Sequence, residues 1–282
     1  MSSSTTLTSS RFTTRVTQNN PSGMTLEGTN TYVLAAPGAD TVVIVDPGFG
    51  EGAADHAAQV AKVVGERKVE LILITHHHLD HTGAVDTFHQ RFGAPVRAVA
   101  EQWCRQATSL IADEMIMAAG TQIRVVATPG HTSDSVAFFL PDDDAAPHPG
   151  GTVLTGDTIL GQGTTMLDYP DGTLVDYLDS LHTLANLEGA GRQVAVLPAH
   201  GPTLSSVAHA AEEYRNHRLE RVEQLRQLIQ NQPPILTPVD WESVIVHDLS
   251  MQLYPKLPEV VRAPAKKTLA ATLDYFLQDE EG

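Results

Sequence analysis

An apolar run, Leu71-Ile-Leu-Ile-Thr75, leads without a break into His76-His77-His78-Leu79-Asp80-His81, so a strand of buried character ends in a cluster of ionisable side chains. Unpaired polar groups gathered at such an end are costly unless something compensates them. The chain is therefore constrained to a fold in which a strand end opens onto a shared site. With period-two alternation His76, His78 and Asp80 project to one side while the chain stays extended, and His81 opens the next helix and turns toward the same space. An H-x-H-x-D-H pattern arises by chance in a chain of this length with a probability on the order of 0.002.

Further donors follow in compatible places. Thr128-Pro-Gly-His131, Leu154-Thr-Gly-Asp157 and Val196-Leu-Pro-Ala-His200 each set a ligand-type residue after a strand-like run and beside a glycine. Imidazole nitrogen and carboxylate oxygen suit Zn2+, and iron or manganese use the same donors. His76, His78, Asp80, His81, His131, Asp157 and His200 exceed what one tetrahedral ion takes, so two metals are the economical reading. His56, His77, His89, His148, His182, His209, His217 and His247 stand outside this pattern and read as packing or surface groups. Cys104 has no C-x-x-C partner and reads as a packed residue.

Short β-rich runs at residues 30–34, 41–45, 69–75, 95–99, 123–126, 135–140, 152–155 and 194–197 alternate with helical patterns at 52–64, 83–92 and 174–187. That alternation predicts a layered α/β domain. After Pro202 apolar residues from Leu204 to Ile229 recur at helical spacing. Pro233-Pro234 breaks the pattern, Thr237-Pro238 reads as a cap with proline at the first helical position, and a last helix spans about 258–277 with a kink expected at Pro264. Residues 1–203 thus read as one domain and 204–282 as a helical C-terminal unit. The Ser/Thr-rich start through Arg15 reads as a frayed terminus rather than an organellar leader. The acidic run Asp142-Asp143-Asp144 reads as a solvated loop.

The net charge of -16 repels polyanions at long range and argues against a broad basic surface for nucleic acid. No apolar run approaches the roughly 20 residues that cross a bilayer, so no membrane partner is expected. A single cysteine and a start without a secretory h-region fit a cytoplasmic location, with an organellar matrix as the lesser alternative.

Through His76-x-His78-x-Asp80-His81, then His131, Asp157 and His200 in order, residues 20 to 203 resemble the metallo-β-lactamase superfamily. The resemblance implies a four-layer αβ/βα sandwich. It implies that His76, His78 and His131 hold one zinc, that Asp80, His81 and His200 hold a second, and that Asp157 bridges them, with Asp46 in Val45-Asp-Pro-Gly48 a structural orienter. Longer strings, Asn20-Pro-Ser-Gly-Met-Thr-Leu-Glu-Gly-Thr-Asn-Thr-Tyr32, Pro129-Gly-His-Thr-Ser-Asp-Ser135, Gly156-Asp-Thr-Ile-Leu-Gly-Gln-Gly-Thr-Thr165 and His200-Gly-Pro202, are similar to the β-lactamase-like protein 2 subfamily. That subfamily is known for a mitochondrial endoribonuclease and is similar to fungal polyketide-releasing thioesterases. Its helical tail, winged-helix-like, is the counterpart expected for 204–282. Ala199 departs from the usual glycine before the last histidine, and His77 fills a position often bulky or aromatic; neither removes a ligand.

These residues imply metal-assisted hydrolysis, with Asp157 positioning the attacking oxygen and Asp80 moving its proton. The acidic balance favours a small-molecule ester or thioester, and single-stranded RNA is the competing substrate, with Lys266-Lys267 the only local basic pair in the tail. A non-catalytic metal-binding interaction protein is a third reading. Cleavage of β-lactam antibiotics is disfavoured because it calls for an export signal. The segment 161–165 either lines the substrate path or is a plain turn, while Tyr177 and His182 are expected to pack rather than act.

Overall fold

The strands β1 (Thr6–Thr8), β2 (Thr13–Thr17), β3 (Asn30–Leu34), β4 (Thr41–Val45), β5 (Lys68–Leu73) and β6 (Val96–Arg97) lie side by side in sequence order as one sheet. A second sheet has the order β11-β10-β9-β8-β7, from β7 (Met115–Ala118), β8 (Thr121–Ala127), β9 (Val136–Leu140), β10 (Thr152–Gly156) and β11 (Ala195–Pro198). The computed structural model describes residues 5–144, 148–229 and 239–281.

Hairpins join the antiparallel neighbours, whereas the parallel pairs β4/β5, β5/β6 and β10/β11 need crossovers. Helices supply them: α1 (Ala53–Val64) before β5, the single turn α2 (Leu79–Thr82) and α3 (Val85–Phe92) before β6, and α4 (Leu174–Ala185) before β11. The period-two alternation of the second sheet sorts its residues into two cores. Val125, Phe138, Leu154 and Leu197 face a core shared with the first sheet, α1 and α3. Their neighbours Val126, Ala137, Val153 and Val196 face a core built with α4 and three later helices, α5 (Val207–Ile229), α6 (Val244–Leu253) and α7 (Arg262–Glu281). The result is the αβ/βα sandwich expected, with helices on both outer faces and further helices at the C-terminal end. No described helix is long and apolar enough to cross a membrane.

The first strands were hidden from the sequence reading. Residues 6–8 and 13–17 are not frayed but pair, Thr8 opposite Thr14 and Thr13 opposite Leu34. Threonine is a good strand former, and Phe12 and Val16 anchor β2 in the core while β1 stays exposed at the edge. The edge strand β7, also absent from the sequence reading, is mostly exposed and pairs only with β8. Asp143 corrects the solvated-loop expectation for the acidic run: it is buried, accepting from the Phe12 N–H at 3.2 Å and the Thr152 hydroxyl at 2.8 Å. Pro264 falls in the first turn of α7, where a missing N–H breaks no helical bond, and the helix runs on unbroken instead of kinking there. The Pro233-Pro234 break and the Thr237-Pro238 cap lie outside the described residues. The helix that follows them starts at Val244 behind Ser243, whose hydroxyl accepts from the Val246 N–H at 3.3 Å.

Candidate metal centre

Five segments meet where strands of the two sheets end. Asp46 directly follows β4, Thr75 to His78 continue from β5, His131 lies beyond β8, Asp157 directly follows β10, and His200 lies two residues past β11. His76 and His78 come from the irregular, bent segment that follows β5, and Asp80 and His81 are carried by α2, so the alternation expected through Asp80 is not kept.

The ring nitrogens fall into two sets. His76 Nε2, His78 Nδ1 and His131 Nε2 stand 3.0 to 3.2 Å from one another. Donors about 2.0–2.1 Å from a tetrahedral ion stand roughly 3.3 Å apart, so the triangle has the size of a coordination face. In the second set, His200 Nε2 is 3.2 Å and His81 Nε2 3.6 Å from Asp80 Oδ2. Asp157 joins the sets. Its Oδ1 lies 3.4 Å from His200 Nε2 and 3.5 Å from His81 Nε2, and its Oδ2 lies 3.8 Å from His131 Nε2.

What the opposite ring atoms do decides which nitrogens carry protons. His131 Nδ1 donates to the Met166 carbonyl at 2.8 Å, His200 Nδ1 to the Gly28 carbonyl at 3.1 Å, and His81 Nδ1 to Asp46 Oδ2 at 2.8 Å. His78 Nε2 donates to Asp168 Oδ2 at 3.1 Å. The Thr75 hydroxyl donates its one proton to Asp46 Oδ2 at 2.8 Å and so accepts from His76 Nδ1 at 3.1 Å. In neutral rings each facing nitrogen is then a bare lone pair. The buried atoms His81 Nε2, His200 Nε2 and Asp157 Oδ1 make no hydrogen bond among the described residues. Acceptors converging on a buried point without donors call for a cation, and the residues present fit metal ions there.

The protonation tendencies follow from the same arrangement. Burial, then the neighbouring His81 and His131, hold the His76 pKa far below its usual range. Burial, followed by His78, lowers His131 to about 4. Burial opposes charge on His81 as well, but Asp80, Asp46 and Asp157 together overcome it and push the pKa up to about 10. The excess of carboxylate that would draw a proton there would draw a metal ion equally.

The sequence profile of the Metallo-beta-lactamase superfamily matches residues 24–200. The chain belongs to that superfamily. It is 30% identical over 259 residues to the Drosophila melanogaster "Beta-lactamase-like protein 2 homolog", covering 85% of this chain and 79% of that protein. It is also 31% identical to the "Atrochrysone carboxyl ACP thioesterase" of Aspergillus fumigatus, over 77% of this chain and 64% of that one. Among solved structures, a beta-lactamase domain protein from Burkholderia ambifaria shares the fold with a TM-score of 0.77 at 19% identity, covering 98% of this chain and 88% of that chain.

In this metallo-β-lactamase superfamily member, Asp46 ties the centre together, its Oδ1 accepting the Thr75 N–H at 2.8 Å while Oδ2 holds His81. His77 turns away, its Nδ1 2.8 Å from Asp134. Tyr177 is buried with its hydroxyl donating to the Thr158 carbonyl at 2.7 Å, and His182 is exposed; neither reaches the donors. Residues 162–165 line a cleft together with Asp157. A second opening, bounded by His78, Asp80, His131 and Asp157, exposes the donors themselves. Sequence reasoning missed Asp168, which receives His78 and pairs with Lys267 of α7. Nothing in Met166-Leu-Asp-Tyr169 marks that aspartate, since its partners are distant in the chain.

Proposed function

We propose that the protein is a dinuclear zinc hydrolase acting on an acyl thioester or related ester of a small molecule. The convergence of bare histidine nitrogens with Asp80 and Asp157 carries the proposal. His76 Nε2, His78 Nδ1 and His131 Nε2 would hold one ion, and Asp80, His81 and His200 the other, with one oxygen of Asp157 offered to each. When bound, the metals supply the acidity that makes water a nucleophile near neutral pH and polarises an acyl oxygen.

The chain's own residues do the rest. Asp157 orients the water between the two sets of donors. Asp80 lines the opening and is 25% exposed, so it can take the proton of the attacking water and pass it to the leaving group. A C–O bond forms, the C–S bond breaks, and the departing thiolate leaves as a thiol. A net charge of -16, the apolar walls beside Asp157 and the similarity to a thioesterase support this substrate class over single-stranded RNA. Residues 1–203 are taken as the catalytic domain and 204–282 as a helical unit that borders its cleft. A reducing compartment, the cytoplasm before an organellar matrix, is part of the same proposal.

The test is turnover of acyl thioesters and single-stranded RNA, side by side, by protein whose metal content has been measured. Two zinc ions per chain and thioester cleavage are expected, with metal and activity lost together in Asp157→Ala. Cleavage of RNA alone would replace the substrate class; turnover of neither by zinc-loaded protein would leave a metal-binding interaction protein. Full activity in metal-free Asp157→Ala would overturn the reading.

A further inference from the structure

Arg218 on α5 is only 3% exposed, yet no carboxylate pairs with it among the described residues. Its Nη2 donates to the Thr165 carbonyl, its Nε has no hydrogen-bond partner there, and its Cζ lies 5.3 Å from the centre of the Tyr177 ring. A guanidinium has five N–H donors and a permanent charge. One carbonyl and the neutral Tyr177 side chain, ring face and hydroxyl together, do not balance a full charge taken out of water.

This cation lines a cleft of about 290 Å3 beside the metal centre, near the lower bound of small-molecule sites, roughly 300–1,000 Å3. Met24, Leu26, Leu160, Leu257 and Val261 make its walls largely apolar, and Asp157 both borders it and belongs to the donor set. Asp157 is the one carboxylate among the lining residues, and it faces the histidine nitrogens. His217, next to Arg218, adds no second charge, because burial and then Arg218 and Arg221 hold its pKa below the usual histidine value. An apolar cleft thus runs between the hydrolytic site and a buried, uncompensated cation.

We infer that the acyl group cleaved here is apolar along its length and carries a carboxylate, which pairs with Arg218 while the scissile carbonyl lies at Asp157. The inference rests on the hydrolase reading and narrows its substrate to acidic acyl thioesters. Arg218 is then a specificity-determining residue: the pairing supplies the buried guanidinium with acceptors that the described residues do not provide. Neutral acyl groups of equal length leave it unpaired.

The experiment compares the adipoyl and hexanoyl thioesters of N-acetylcysteamine, which differ in a terminal carboxylate, on zinc-loaded protein. A hydrogen-bonded charge pair of this kind predicts at least about a tenfold preference in kcat/KM for adipoyl. The preference should shrink in Arg218→Lys and vanish in Arg218→Met. Calorimetric binding of the adipoyl ketone analogue, sulfur replaced by methylene, is measured against its terminal carboxamide. The acid should bind the wild type more tightly, and lose that advantage in Arg218→Met. Turnover of both thioesters without preference, or equal binding of acid and amide to the wild type, would overturn the inference while leaving the hydrolase reading intact. Tighter binding of the acid analogue that depends on Arg218, with no thioester cleaved, would support the acid-binding cleft and defeat hydrolysis. Because the wild-type comparisons need no variant, loss of folding in Arg218→Met would not shelter the idea.

Discussion

His78 Nε2 lies 3.1 Å from Asp168 Oδ2, and the other oxygen of that carboxylate pairs with Lys267 on α7. Accepting from His78, and then pairing with Lys267, holds the Asp168 pKa well below the usual carboxylate range against the opposing effect of burial. The ionised carboxylate keeps the proton of His78 on Nε2 and its Nδ1 lone pair directed at the donor triangle. Asp168→Asn should therefore weaken zinc binding by about 10- to 100-fold, with the melting temperature of metal-free protein little changed. Competition against a chromophoric chelator measures this, and an unaltered zinc affinity would remove the assigned role. Lys267→Met should weaken binding less, since the carboxylate remains.

Asp46 predicts a different loss. It sits at φ 54°, a left-handed conformation that asparagine also tolerates, so Asp46→Asn spares the backbone. An amide nitrogen at the Oδ2 position would face His81 Nδ1 and the Thr75 hydroxyl with donors instead of an acceptor. His81 would be driven to its other tautomer, placing a proton on Nε2. On the proposed dinuclear reading one of the two ions should be retained, with metal-free stability lower by roughly 1–3 kcal/mol for the disturbed buried bonds. Metal analysis after dialysis decides it; two tightly held ions in this variant would contradict the account.

The donors were legible because a strand, a short helix and three glycine-flanked turns announce them locally. His76 to His81 lie within one stretch, and His131, Asp157 and His200 each follow an apolar run. The residues that orient them were not. Asp168 is 90 residues from His78, and Lys267 is 99 residues from Asp168, so their partners exist only once the helices pack. Nothing in the helical pattern of 204–229 marks Arg218, whose Nη2 meets the Thr165 carbonyl, 53 residues away, only once α5 packs. Asp143 reads as solvated for the same reason, since Phe12 and Thr152 reach it only when the first strands close on the second sheet.

His56 predicts acid sensitivity away from the candidate metal ligands. Its Nε2 donates to the Thr31 hydroxyl at 2.7 Å, because that hydroxyl spends its own proton on the Asp46 carbonyl. Its Nδ1 is buried with no hydrogen-bond partner among the described residues, and burial lowers the pKa to about 4 from 6.5. A depressed folded pKa means that the stability contributed by the neutral ring is present above pH 6.5 and is lost as the pH falls toward 4. The loss across that window is up to roughly 3 kcal/mol. His56→Phe, with Phe88 already against the ring, should be less stable at pH 7 for want of the Thr31 bond, yet lose less on acidification. Urea unfolding of both proteins at about pH 7 and 4.5 tests it, and equal acid losses would refute it.

Gly130 predicts how tightly the His131 turn must approach α4. Its φ is +129°, and a Cβ there would lie 2.4 Å from the Tyr177 Cα and 2.5 Å from its backbone nitrogen. Neither atom can move without shifting the helix that covers the second sheet. Gly130→Ala should cost roughly 2–4 kcal/mol from strain and overpacking, and the displaced turn should release zinc from the His76, His78 and His131 set. Gly163 provides the contrast, because its φ is +77° but a Cβ would meet nothing within 4 Å. Gly163→Ala should cost only the backbone strain, roughly 1–2 kcal/mol, and keep both metals. Thermal unfolding with metal counting on the two variants tests this: a loss in Gly130→Ala no larger than that in Gly163→Ala would mean that the approach to Tyr177 does not demand glycine at position 130.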